Sequence, residues 1–212
     1  MTQIKETEVI KEIRISTEEK IVTAARKVFT KKGLFGARMQ DIADEAGINK
    51  ALLHYYFRSK EKLFEKIFEE ASTKMFTKIT EFIDSKEMNL FEKIEKMVEN
   101  QIVMSMENPF LPAFVVNEFH QNAESSICQT IGQKMTVSKK LIEQIQEAVN
   151  QGFIRPINPL QLFINIMSLS MFPFIAKPIM QINIGLSDEL FTLLMEQRKK
   201  EVADFIIRAI RM

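Results

Sequence analysis

Apolar residues recur along almost the whole chain at intervals of three and four, the spacing of one face of a helix, and no β-alternating run of useful length appears in its first third. Ile21, Ala25, Val28 and Phe29 form the first stripe, which stops at Gly33; Ser16 and Glu19 ahead of it have capping-box spacing. A short segment follows in which Ile42, Ala43 and Ala46 face inward, with Gly47 able to take the left-handed conformation that ends a helix. Asn49 is a good N-cap for the next segment, whose buried side comes from Leu53, Tyr56 and Phe57. Ser59 can cap a fourth helix, where Leu63, Phe64, Ile67, Phe68, Ala71 and Met75 run at helical spacing towards Asp84. Further on, Leu90 to Met106 form a stripe ending at Asn108-Pro109. Beyond Pro112 the pattern predicts a helix at AFVVNEFHQN and a long amphipathic one over 125–151, closed by Gly152. Two final helices are predicted at about 159–180 and 187–211. The fold class is all-α.

Two short helices joined by the tight Gly47-Ile48-Asn49 turn make a helix-turn-helix, with the helices before and after it as braces. The second helix is then open to a DNA major groove at its N-terminal end. Lys50, Ala51 and Leu52 occupy its first turn, where exposed backbone N–H groups and a cation approach phosphates and base edges together. His54 and Tyr55 lie one turn later, placed to donate to flanking phosphates. Lys60 opens the fourth helix, whose first amides make a second phosphate site.

Charge sharpens this picture. Residues 1–66 hold 14 Lys and Arg against 10 Asp and Glu, and residues 67–212 hold 15 against 18, so a net +1 conceals a basic N-terminal third and an acidic remainder. The single cysteine, Cys128, excludes an intrachain disulfide framework and fits a reducing, cytoplasmic setting; the N-terminus lacks the apolar stretch of a signal peptide. With two histidines, no paired-carboxylate motif, no nucleophile signature and no phosphate-cradling glycine loop, an enzyme is not expected. No metal or cofactor is expected either, because His120, Glu124 and Cys128 lack any recognised ligand spacing.

The string Gly33, Ile42-Ala43, Ala46-Gly47, Lys50, Leu53, Tyr56-Phe57, Lys60-Glu61 and Leu63-Phe64, with its fixed spacings, resembles the DNA-binding domain of the tetracycline-repressor (TetR) family over roughly residues 16–75. The resemblance implies an all-helical homodimer: a helix-turn-helix domain over 16–75, preceded by a flexible arm over 1–15 and followed by a ligand-binding and dimerisation domain over 76–212. It implies a repressor released from a palindromic operator by a small molecule, with Asn49, Lys50, Ala51, Leu52, His54, Tyr55 and Lys60 facing DNA. Three positions depart from the family pattern. Arg38 stands where Thr or Ser usually caps the first helix of the motif, and its guanidinium offers itself to phosphate instead. Ala51 replaces a common glycine and His54 a common tyrosine. Leu52, with no hydrogen bond to give, is suited to a thymine methyl.

In the C-terminal part, 160–176 is the most apolar run, but it is short for a membrane span and is interrupted by Gln161, Asn165 and Pro173, so a buried interface helix is expected there. Leu190, Leu193, Leu194, Val202, Phe205 and Ile206 supply apolar faces on the last helix for the dimer that the resemblance implies. Met104, Phe114, Phe119, His120, Met167 and Met171, with Asn117 and Glu118 as polar partners, are candidates to line a pocket for an apolar effector, because unbranched thioethers repack cheaply around different shapes. The competing reading is a helical scaffold of the same fold that acts through a protein partner or binds DNA without sequence preference.

Overall fold

The computed structural model describes residues 2–121, 124–134 and 136–212; side chains are described from residue 17 onward, those of 126, 133, 134, 136 and 137 excepted. Among the described residues there are ten helices and no strand beyond an isolated bridge between Ile154 and Arg211. The chain divides into two compact units, Met1–Glu70 and Ala71–Met212.

The first unit holds α1 (Thr2–Gly36), α2 (Met39–Ala46), α3 (Lys50–Tyr56) and the opening half of α4 (Lys60–Asp84). Its core is the set the spacing picks out: Ile21, Ala25, Val28 and Phe29 of α1, Ile42 and Ala43 of α2, Leu53 of α3, and Leu63, Phe64 and Ile67 of α4 are all buried. Phe29 and Phe64 meet edge to face with ring centroids 5.2 Å apart, which adds about 1 kcal/mol to the roughly 2–3 kcal/mol each gains by leaving water. Helix α1 begins at Thr2 rather than at Ser16, so residues 2–15 continue a helix where a flexible arm was expected. Nothing in TQIKETEVIKEIRIS breaks a helix, and its alternating Glu and Lys favour one. Gly33, at φ 65° and ψ 174°, interrupts α1 where the apolar stripe ends.

In the second unit, α5 (Leu90–Glu107) packs against α8 (Thr136–Asn150), α9 (Pro159–Ile184) and α10 (Asp188–Ile210), while α6 (Leu111–Gln121) packs against α9 and α7 (Ser126–Lys134). The stretch predicted as a helix over 125–151 is helical in α7 and α8, and position 135 between them lies outside the described residues. The core is built from Ile94, Met97, Val98 and Ile102 of α5, Leu141 and Ile145 of α8, Leu162, Ile166 and Phe174 of α9, and one face of α10.

Two polar devices hold this core together. Lys93 is buried, and its ammonium donates to the carbonyl of Ile83 at 2.8 Å and to Gln144 Oε1 at 3.0 Å; Gln144 Nε2 donates to the same carbonyl at 3.0 Å. A carbonyl at the end of α4 that has no helical partner is thereby tied to α5 and α8. In α9, Pro173 has no N–H for the carbonyl four residues earlier, Leu169. Arg198 of α10 donates its Nε–H to that carbonyl at 3.0 Å. Desolvation lowers the Arg198 pKa from its ordinary value, and the charge stays in place because no titration near neutrality reaches a guanidinium.

Helix α9 is long and apolar enough to cross a bilayer by length and composition alone, but Leu162, Ile166, Ser170, Pro173, Phe174 and Ala176 are buried inside the unit. Its other side exposes Leu160, Ile164, Phe172, Ile179 and Ile182.

Candidate nucleic-acid interface

The angle between α2 and α3 is set by a short turn with definite chemistry. Gly47 adopts φ 66° and ψ 33°, the left-handed conformation, and hands its N–H and that of Ile48 to the last carbonyls of α2, Asp44 and Ala43, at 3.2 and 3.0 Å. Asn49 then caps α3, its Oδ1 accepting the N–H of Leu52 at 2.7 Å. Leu53, fully buried, pins α3 from beneath, Phe57 is buried just past its end, and Ser59 caps α4 by accepting the N–H of Lys62.

With that side fixed, Asn49, Lys50, Ala51, Leu52, His54 and Tyr55 are all exposed, Tyr55 to 65 %. The Tyr55 ring stands edge-on to Tyr56 with centroids 5.5 Å apart, which stiffens its position on the surface. His54 lies with Nδ1 3.2 Å from the carbonyl oxygen of Arg58. Arg38 precedes α2 in extended conformation; its backbone N–H is accepted by Asp41 Oδ2 at 3.1 Å and its guanidinium is exposed. The first helix of the motif is therefore capped by Asp41 from within.

Ion pairs within the unit decide which cations face outward. Lys27 and Lys32 of α1 pair with Glu45 and Asp41 of α2 at 3.0 and 2.9 Å, and Arg26 and Lys66 pair with Glu70 and Glu18 across α1 and α4. The hydrogen bond from Lys32, with that from the Arg38 backbone, holds the Asp41 carboxyl below its ordinary value of 3.8. Arg38, Lys50 and Arg58, in or beside the helix-turn-helix, are exposed and take part in none of these pairs, and the same holds for Lys20 and Lys31 of α1.

One expected DNA contact is corrected. Lys60 does not offer its ammonium outward: Nζ donates to the carbonyls of Leu34, Phe35 and Ala37 at 2.9, 3.3 and 3.1 Å, closing the end of α1. A lysine is drawn there because those carbonyls have no helical donors and carry the negative end of the helix dipole. Arg58 supplies a cation that the sequence reading passed over; its place in the two-residue turn between Phe57 and α4, beside His54, is the signal that could have found it.

The candidates in the second unit fare unevenly. Of the α10 residues proposed for a dimer face, Leu190, Leu193, Leu194 and Phe205 are exposed, from 38 to 66 %, but Val202 and Ile206 are buried. Those two belong to the opposite side of the helix, which fills the core of its own chain. For the pocket, Phe114, Asn117 and Glu118 of α6 and Met167 and Met171 of α9 are half-buried on two packed helices, whereas Phe119 and His120 are exposed. Asn117 accepts a hydrogen bond from Gln121 at 3.1 Å. Met104 lines, with Met75, Val103 and Asn108, a crevice of about 10 Å³, room for one water at most. An open cleft of about 400 Å³ lies along α4 and α5, lined by Lys78, Phe82, Met88, Lys96, Glu99 and Asn100, none of them among the candidates.

Comparison with known proteins agrees with this geometry. Residues 21–67, which span the helix-turn-helix and its braces, match the family described as "Bacterial regulatory proteins, tetR family". The HTH-type transcriptional regulator YhgD of Bacillus subtilis (strain 168) is 27 % identical over 154 residues, covering 68 % of this chain and 75 % of that one. The HTH-type transcriptional repressor NicS of Pseudomonas putida is 45 % identical over 53 residues, a quarter of each chain. Among solved structures, that of HlyIIR, a hemolysin II transcriptional regulator, has a TM-score of 0.57 at 26 % identity and covers 85 % of this chain and 97 % of that one. Residues 21–67 are thus similar to the tetR family of bacterial regulatory proteins, and the relatives named above are transcriptional regulators.

Proposed function

We propose that the protein is a cytoplasmic homodimeric repressor that binds a palindromic operator through α2 and α3 and is released by a small apolar molecule held in the Ala71–Met212 unit. The observation that carries the first part is the exposed row Lys50, Ala51, Leu52, His54 and Tyr55 on a helix whose buried side is pinned by Leu53. In such an arrangement the cations of Arg38, Lys50 and Arg58 supply phosphate affinity, and the small Ala51 and apolar Leu52 let the helix approach base edges and a thymine methyl. A two-fold dimer provides the second reader that a palindrome requires.

Support for the dimer comes from α9 and α10. Leu160, Ile164, Phe172, Ile179 and Ile182 on one, and Leu190, Leu193, Leu194 and Phe205 on the other, are exposed on two helices that pack together. That much apolar surface on adjoining helices suits a second copy of the same pair, and it explains α9's composition without a membrane. Support for an effector is the half-buried set Phe114, Asn117, Glu118, Met167 and Met171 between α6 and α9, together with the repressors among the relatives. Selection of bound fragments from genomic DNA tests the whole reading: a single palindromic motif is expected. Retention of duplex without sequence preference favours the scaffold that binds DNA non-specifically.

A further inference from the structure

We infer that His54 is a protonation-dependent phosphate donor, so that the protein grips duplex DNA more tightly as the pH falls towards 5.5. The inference rests on the DNA-binding reading above and adds a condition to it. A carbonyl oxygen can only accept, so the contact between His54 Nδ1 and the Arg58 carbonyl at 3.2 Å requires the hydrogen on Nδ1. In the neutral ring that leaves Nε2 with a lone pair and no hydrogen. A phosphate oxygen is also an acceptor, and the two repel. Only the imidazolium, with hydrogens on both nitrogens, keeps the Arg58 contact and donates to phosphate at the same time.

The surroundings make this a clean device. Lys50 and Arg58 lie one turn to either side of His54 along the chain, and Lys60 and Glu61 begin the next helix, with Lys60 committed to the end of α1. On α2, the element packed against α3, Asp41, Asp44 and Glu45 are engaged by Lys32, Gln40 and Lys27. Asp41, held below 3.8, does not titrate between pH 5 and 8. The only other histidine in the chain is His120, on α6. Were Nε2 to meet a base instead, its lone pair would accept from the amino group of adenine or cytosine, and acid would weaken the complex; the sign of the pH effect separates the two contacts.

The experiment measures affinity for a fluorescently labelled random-sequence duplex at low salt, from pH 7.5 to 5.5, for the wild type, His54→Gln, His54→Tyr and His120→Gln. Wild-type and His120→Gln affinities rise by roughly fivefold per protomer as the pH falls, with proton uptake on binding seen by calorimetry in buffers of different ionisation enthalpy. The two His54 variants lose that dependence. Tyrosine, a neutral donor, holds the higher affinity across the range. A wild-type affinity that is flat or falls in acid, or a slope that survives His54→Gln, overturns the inference while leaving DNA binding intact. Absence of any binding at any pH removes the DNA-binding reading and this inference with it.

Discussion

Lys50 and Lys60 carry the same charge on the same unit, and their surroundings give them different work. Lys50 sits in the exposed first turn of α3, whereas the Lys60 ammonium is held by three carbonyls at the end of α1. Lys60→Ala leaves those carbonyls without a donor and should cost about 1–3 kcal/mol, read as a lowered thermal midpoint. The salt dependence of DNA binding should not change. Lys50→Ala should do the reverse: DNA affinity falls more than about tenfold and the salt slope drops by about one per protomer, with the melting curve nearly unmoved. A melting curve unchanged by Lys60→Ala would return that lysine to the outer surface. Sequence spacing alone treats both as cations near a helix start, because the end of α1 that captures Lys60 lies more than twenty residues away in the chain.

At the scale of elements, local chemistry was legible where it is written locally. Asn49 and Ser59 cap the helices their positions predict, and Gly47 turns the chain as its lack of a side chain allows. What spacing did not reveal depends on partners remote in sequence. The face of α10 that carries Val202 and Ile206 is inward only because α5 lies against it, and an apolar stripe does not say which neighbour covers it. The bond from Arg198 to the Leu169 carbonyl is of the same kind: Pro173 frees the carbonyl, but only the packing of α10 on α9 brings the guanidinium to it. A double-mutant cycle tests that coupling. Arg198→Met should destabilise by about 1–2 kcal/mol beside Pro173, and by less in the Pro173→Ala background, where the helix N–H takes over the carbonyl. Equal costs in the two backgrounds would show that the bond does not compensate for the proline.

For the whole molecule, deleting α10 is a poor test of assembly, since Phe191, Met195, Val202, Ala203, Ile206, Ile207 and Ile210 would leave the core with it. Charges placed on its exposed face are better. Leu194→Glu with Phe205→Glu should give a folded monomer by sedimentation, with an unaltered helical spectrum and weaker operator binding, because two half-sites then have to capture separate readers. A variant that remains dimeric would move the interface off α10. The claim on which the rest depends is that α3, braced from behind and exposed along Lys50 to Tyr55, reads duplex DNA. Selection of genomic fragments by the wild type and by Lys50→Ala, side by side at physiological salt, tests it most directly. The account predicts one palindromic motif enriched by the wild type and lost with Lys50→Ala; the same motif recovered equally by both, or no duplex retained by either, would contradict it.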